Sequence, residues 1–224
     1  MPRARGKQRS QDRQKVILMI EANDDGDTRP PCAYRMKNVR SRLDRGAYKV
    51  KSLRGRNATR KRVVAELKKK QQHVVYLTGS GHGNANAFRG YEGRFIFQVG
   101  SYEDEESRAR GAHFLSCDTA LQLGPDFVNN KCKAYFGYSV PFVWDDRNAE
   151  PFFRCDSEID LALAGGARAA EALRRARARF DEEIRKQNLT LGKTGSAGIL
   201  QSLRDHLCGP SDQSGRYGDP DWKL

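Results

Sequence analysis

Val74-Val75-Tyr76-Leu77-Thr78-Gly79-Ser80-Gly81-His82-Gly83 and Ala112-His113-Phe114-Leu115-Ser116-Cys117-Asp118-Thr119-Ala120 decide the reading of this chain. Each is an apolar run of strand length that ends among small residues, one on an imidazole and the other on a thiol. A strand buried on both faces of a parallel sheet reads as a near-continuous apolar run. Open α/β sheets carry their chemistry at the carboxyl ends of such strands. Two neighbouring strands of this kind bring His82 and Cys117 to one sheet edge, the arrangement a cysteine nucleophile needs. Taken singly, neither residue says this: a histidine after a glycine-rich turn is most often a loop residue, and a cysteine after an apolar run is most often packed core. The order of the two blocks and their matched ends carry the pairing.

Outward from these blocks, Val16-Ile17-Leu18-Met19-Ile20 predicts a first buried strand over 15–21, and the polar, basic residues 1–14 predict a disordered tail ahead of a single domain over 15–224. Arg29-Pro30-Pro31 predicts an extended loop, followed by a helix over 33–43 and a second strand over 48–53. Thr59 caps a helix over 60–71, and Arg94 to Val99 is a further strand. After Cys117 the pattern predicts a helix over 118–129, a core strand over 133–138, one long helix from Ser157 to about Gln187, and a short helix over 199–207. Strands alternating with helices give an α/β fold: a mainly parallel sheet covered on both faces, in three layers.

The 224 residues suffice for one well-packed α/β domain. No apolar stretch approaches the ~20 residues of a membrane span. The run at 16–20 is too short for the ~7–15-residue core of a signal peptide, and acidic residues follow it in place of a cleavage site. The expectation is a cytoplasmic protein without a membrane span. Five cysteines without regular spacing argue against a disulfide framework. No Cys-x-x-Cys or His-x-x-x-His pair is present, so no metal site and no cofactor is expected. Cys32, Cys132, Cys155 and Cys208 read as packed residues. The net charge of +13 suits acidic partners, nucleic acid included. Arg60-Lys61-Arg62, Lys68-Lys69-Lys70 and Arg174-Arg175 carry part of it without interleaved aromatics or a recognition-helix pattern. A solvated basic surface is therefore favoured over a nucleic-acid module. Thr78-Gly79-Ser80-Gly81 lacks the Gly-Lys-Ser/Thr ending of a phosphate loop, and no Gly-x-Ser-x-Gly elbow occurs there.

The chemistry of the two blocks is that of thiolate attack on a carbonyl. A helix beginning just after Cys117 favours the thiolate through its N-terminal dipole. The backbone N–H of Cys117 is a candidate donor to a developing oxyanion, and His82 is the candidate general acid toward the leaving amine.

His82-Gly83 after one apolar strand and Cys117 after a later one resemble the caspase–gingipain clan of cysteine peptidases. Cys132-Lys133-Ala134-Tyr135-Phe136-Gly137-Tyr138-Ser139 and the closing Gly218-Asp219-Pro220 are similar to its bacterial CHAT and gingipain-like branch. The resemblance implies a caspase-like three-layer α/β/α sandwich, a catalytic dyad of His82 and Cys117, and an oxyanion hole from Gly83 and Cys117. It implies cleavage of a partner protein, with activation by a partner or ligand, for which segments 103–110 and 145–156 are the candidates to become ordered. The side chain before the cleaved bond would be read beside the first strand and the Cys117 strand. Asp24, Asp25 or Asp27, or Asp118, suit a basic side chain there, Arg29 an acidic one, and the count of acids favours a basic one. Trp144, with Phe142 and Tyr138, suits the apolar walls. The alternatives are a catalytically silent caspase-like scaffold that binds proteins and, third, a basic nucleic-acid-binding module.

Overall fold

The computed structural model describes residues 13–44, 48–190, 194–211 and 215–224. The tail expected over 1–14 falls outside this range apart from its last two residues, and Gln14 already belongs to a strand.

In chain order the first elements are β1 (Gln14–Glu21), α1 (Arg29–Asn38), α2 (Arg40–Leu43), β2 (Lys49–Arg54), α3 (Arg60–Leu67) and β3 (Gln72–Ser80). A small insertion follows, with β4 (Gly83–Asn84), β5 (Ala87–Arg89), β6 (Phe95–Gln98) and α4 (Asp104–Ser107). The chain then runs through β7 (Gly111–Leu115), α5 (Leu123–Asn129), β8 (Ala134–Tyr138), α6 (Glu150–Ala164), α7 (Ala169–Arg185), α8 (Thr194–His206) and β9 (Leu207–Cys208). The main sheet has the order β2-β1-β3-β7-β8-β9. Every pairing in it is parallel except that of β9 with β8. β1 and β3 lie side by side from Val16 opposite Val74 to Glu21 opposite Ser80, and Ser80 in turn pairs with Leu115. The two strands of the opening quotation are thus direct neighbours, and their carboxyl ends align.

The apolar runs are buried as their composition demands: Val16 to Ile20, Tyr76 and Leu77, and Phe114 are at most 2% exposed, all but Val16 fully buried. Alternate residues feed two cores, one on each face of the sheet. One face holds Ile17, Met19, Tyr76 and Phe136 against Phe152 and Ile159 of α6 and Leu173 and Phe180 of α7. The other holds Leu18, Ile20, Leu77 and Phe114 against Val63 of α3, Phe88 and Phe97 of the small sheet and Phe127 of α5. This is the expected three-layer α/β/α arrangement around a mainly parallel sheet.

Four details differ from expectation. α1 begins at Arg29, because Pro30 and Pro31 sit in its first turn, where a missing N–H costs nothing. The long helix expected from Ser157 is two helices that start earlier, broken at Gly165-Gly166, where Gly166 takes φ +86°. The segment 145–156 is therefore mostly the first half of α6 rather than a loop. Segment 103–110 holds α4, closed by a capping box and tied down by Glu106, whose carboxylate accepts from Arg60. Finally, α5 starts at Leu123, so turns rather than a helix follow Cys117.

A buried polar cluster stands directly beneath the aligned strand ends. Glu21, Arg35, Thr78, His113, Asp156 and Asp160 are each 0% exposed. Arg35 of α1 donates to Glu21 and Asp160 at 2.9 Å and to Thr78 at 2.5 Å. Ser80 donates to Glu21, and Tyr76 donates to Asp160 at 2.7 Å. His113 lies between two carboxylates, Nδ1 at 3.2 Å from Asp160 and Nε2 at 3.1 Å from Asp156. Carboxylates only accept, so both ring nitrogens carry protons. Burial alone would lower the His113 imidazole, but Asp156 and Asp160 outweigh it and bring it up to about 9. Burial pushes the Glu21 carboxyl up to about 7 against the pull of Arg35 and Ser80. The cluster locks the ends of β1 and β3 to α1 and α6.

Candidate active site

His82 follows β3 after Gly81, whose N–H donates to Leu115 O at 3.3 Å and so ties the turn to the end of β7. His82 Nε2 donates to Asp25 Oδ2 at 2.5 Å. That bond places the ring proton on Nε2 and leaves Nδ1 as the basic nitrogen. Asp25 is itself fixed by its own loop: its Oδ1 accepts from the backbone N–H groups of Asp27 at 3.0 Å and Thr28 at 2.8 Å. The Thr28 hydroxyl adds a bond to the same oxygen at 2.9 Å. Burial works to raise the Asp25 carboxyl, but His82 and Thr28 outweigh it and hold it at about 2. A carboxylate so anchored stays ionised and orients the imidazole. Asp25 thus adds a third residue to the dyad of His82 and Cys117 that the resemblance implies. Asp25 and His82 are 57 residues apart in the chain, so no local pattern pairs them.

Cys117 follows β7 after Ser116 and is half-buried. Phe142 N–H donates to its Sγ at 3.3 Å. Burial pushes the thiol up, Phe142 opposes this, and the nearby carboxylates of Asp118 and Asp27 add to the rise. The expected helix dipole does not offset this, because α5 begins at Leu123. The resting thiol is therefore protonated at neutral pH.

His82 and Cys117 line the same cavity of about 310 Å³. Its floor includes Leu115, Ser116 and Gly81, and its walls include Pro31, Phe142 and Trp144. Two exposed carboxylates, Asp27 and Asp146, stand on it as well. Trp144, given to substrate contact by the sequence reading, lines the cavity. Asp24, Asp25 and Asp118, which that reading also gave to substrate contact, do not line the cavity. Asp24 donates its backbone N–H to the Thr28 hydroxyl at 3.0 Å, and its carboxylate accepts from the backbone N–H of Glu92, which braces the loop against the small sheet. Asp25 faces His82, and Asp118 occupies a tight turn with φ +59°, its N–H donating to Val140 O at 3.2 Å. Asp146 was missed, since an acidic pair at 145–146 in an apolar loop reads as a solvated turn.

Gly83 lies where no side chain fits. A Cβ there would stand 2.1 Å from Ser116 Oγ and 2.8 Å from Cys117 O. Its glycine lets the His82 and Cys117 segments touch through their backbones. The Ser116 hydroxyl is buried and has no hydrogen-bond partner among the described residues. Among the described residues no group of three or more His, Cys, Asp and Glu side chains is arranged to hold a metal ion, and no helix is long and apolar enough to cross a membrane.

No protein-family model matches this chain, and no curated protein sequence matches it. Solved structures do. The Arg-specific cysteine proteinase gingipain R (RgpB) is similar with a TM-score of 0.58 at 11% identity, over 94% of this chain and 47% of that one. The complex of the Porphyromonas gingivalis RgpB pro- and mature domains is similar with a TM-score of 0.51 at 11% identity, over 93% of this chain and 47% of that one. The chain thus spans about half the length of the structures it matches. At this identity the likeness is one of fold: the caspase-like α/β architecture found in gingipain.

Proposed function

We propose that residues 15–224 form a single caspase-like cysteine peptidase domain that cuts a partner protein after a basic residue. The observation that carries this reading is the pairing of a half-buried thiol, Cys117, with an imidazole oriented by an anchored carboxylate, His82 on Asp25, on the walls of one cavity. A gingipain fold beneath that cavity supports it. The CHAT-like ending of the chain belongs to the same proposal.

In the proposed reaction the Cys117 thiol loses its proton to Nδ1 of His82, and Sγ attacks the scissile carbonyl carbon. The oxyanion that forms is met by the backbone N–H groups of Gly83 and Cys117. The imidazolium, stabilised by Asp25, passes its proton to the leaving amine as the C–N bond breaks. Water, deprotonated by His82, then hydrolyses the thioester and restores the thiol. No metal or cofactor enters any step.

Asp27 and Asp146 are the proposed readers of the side chain before the cut. Neither carboxylate is engaged by a cation among the described residues, on a chain with 41 Lys and Arg against 28 Asp and Glu. A cavity edged by two free acids on a basic protein selects a guanidinium or ammonium. The resting state of the thiol fits an enzyme that a partner or ligand activates; it equally suits the second reading, a silent scaffold.

The test pairs the wild type with Cys117→Ala and Asp27→Ala on fluorogenic peptides carrying Arg, Lys, Asp, Asn or Leu before the bond. Cleavage confined to Arg and Lys, lost in Cys117→Ala and weakened about tenfold or more in Asp27→Ala, supports the reading. Cleavage after Asp overturns the assigned preference. Partner capture that survives Cys117→Ala without cleavage in either protein establishes the scaffold.

A further inference from the structure

Part of the cavity lining comes from the segment 139–149, which joins β8 to α6 and carries Phe142, Val143, Trp144 and Asp146. It has no regular structure apart from one short turn at Asp146–Asn148. A wall of this kind needs outside anchors to hold a geometry. Three come from the α7–α8 region, which does not itself line the cavity.

At its start, Ser139 donates its N–H at 3.1 Å and its hydroxyl at 3.4 Å to His206 O, the last carbonyl of α8. In its middle, Asp145 accepts at 2.8 Å from the hydroxyl of Ser196 in the first turn of α8. The other oxygen of Asp145 accepts from Arg147 N–H at 3.0 Å and closes the short turn. The Ser196 hydroxyl is the main cause holding the Asp145 carboxyl below its ordinary value. At its end, Asn148 donates at 2.9 Å to Gln187. Gln187 lies in the π-helical turn Lys186–Thr190 that ends α7, a kind of turn concentrated at functional sites. Ser196 and Gln187 are 3% and 1% exposed. A buried hydroxyl and a buried amide aimed at one surface loop are costly to keep unless bonded, so both ends hold the loop firmly.

We infer that Ser196 and Gln187 are positioning residues for substrate selection: through Asp145 and Asn148 they fix the cavity wall that carries Trp144 and Asp146. The turn Lys186–Thr190 and the first turn of α8 thereby set the shape of the cavity from behind. This rests on the peptidase reading for its kinetic consequence but not for its structural one. Between Asp145 and Asp146 there is one peptide bond, so loosening the first releases the second. The selectivity for basic over neutral side chains suffers most: His82 and Asp25 keep their own supports, and the bond-breaking step is touched only through the bond from Phe142 N–H to Cys117 Sγ, which lies in this segment.

The experiment compares wild type with Ser196→Ala, Ser196→Thr and Asn148→Ala, each first checked for an unchanged far-UV spectrum. Hydrogen exchange of the amides over 139–149 is read without any need for activity. It is expected to quicken by about tenfold in Ser196→Ala and in Asn148→Ala and to return to the wild-type rate in Ser196→Thr, whose hydroxyl remains. Kinetics on Arg and Leu peptides are expected to show KM for Arg raised about tenfold in Ser196→Ala, with a smaller fall in kcat. Unchanged exchange over 139–149 in both alanine variants overturns the inference whatever the kinetics. Quickened exchange with an unaltered KM and selectivity also overturns it. Quickened exchange in a protein whose wild type cleaves no peptide upholds the brace and counts against a peptidase that is active without its partner or ligand.

Discussion

Replacing Arg35 by Met removes the guanidinium from the buried cluster and keeps most of the side chain's length. The hydrogen bonds to Glu21 and Asp160 at 2.9 Å and to Thr78 at 2.5 Å go with it. Glu21, Asp156 and Asp160 are then left at 0% exposure with His113 as their remaining cation within the cluster. Breaking a buried ion pair by deleting one partner costs ~3–5 kcal/mol, because the charge left behind is uncompensated. In a chain of this size that lowers Tm by about 6–20 °C. The loss depends on pH with a definite sign. Glu21 is already raised to about 7 in the native cluster, and without Arg35 its folded-state value rises further. A raised carboxyl stabilises the fold in acid and loses that contribution as pH rises through the folded value. The Glu21 share of the deficit is therefore complete in alkali. It fades as pH falls toward about 7, where the carboxyl is protonated with or without the arginine. The Asp160 share behaves differently: burial acts to raise that carboxyl, but Arg35 and His113 hold it below its ordinary value, so its share fades only in acid. Urea unfolding followed by far-UV circular dichroism, at several values between about pH 5 and 9, measures both parts. Glu21→Gln added to Arg35→Met is expected to recover at least ~1 kcal/mol near pH 8, since the two sites are coupled. A loss under ~1 kcal/mol, or a deficit that does not shrink toward acid, refutes the argument that this cluster is a mutually dependent charge set.

Asp25→Asn lets an amide N–H face His82 Nε2 and moves the ring proton to Nδ1; kcat is expected to fall ~10²–10⁴-fold while iodoacetamide still labels Cys117, and unchanged kcat removes Asp25 from the site. Gly83→Ala forces a Cβ to within 2.1 Å of Ser116 Oγ and 2.8 Å of Cys117 O. Stability is expected to drop by ~1–3 kcal/mol with cleavage and Cys117 labelling both impaired, and a variant as stable and reactive as wild type shows that the two segments are not in contact. His113 is brought up to about 9 from an ordinary 6.5. Its stabilisation is full below the lower value and is lost as pH rises through the upper one, so the alkaline fall in unfolding free energy should flatten in His113→Asn, and an identical pH profile counts against a charged His113.

Much of the architecture is legible in the residues because burial writes itself into composition. Val16 to Ile20, Val74 to Leu77 and Phe114-Leu115 are apolar on consecutive positions, which a strand tolerates only when both its faces are covered. From that follow the parallel sheet, its helical layers, and the placing of His82 and Cys117 beyond neighbouring strand ends. Helix boundaries were less legible. Pro30-Pro31 permits either an extended loop or a first helical turn, and packing of Pro31 and Cys32 into the fold decides for the helix. Gly165-Gly166 falls inside a long stretch of helical period, and the break there shows only once α7 packs back on α6.

The polar relations were invisible for a different reason. Asp25 and His82, Asp145 and Ser196, and Arg35 and Asp160 meet across long stretches of chain. Nothing in the local sequence of an aspartate says which of several faces another element. Asp24, Asp25, Asp27 and Asp118 were equivalent candidates for one pocket as letters. The turn at Thr28 and the approach of Glu92 send Asp24 to the small sheet and Asp25 to His82, and leave Asp27 on the cavity. Hydrophobic pattern is a property of each segment by itself, so the sequence alone determined which strands are buried and at which ends a thiol and an imidazole emerge. Hydrogen bonding and charge pairing are directional and depend on both partners, so the orienting carboxylate, the resting state of the thiol and the brace behind the cavity wall were decided only when the tertiary structure brought those partners together.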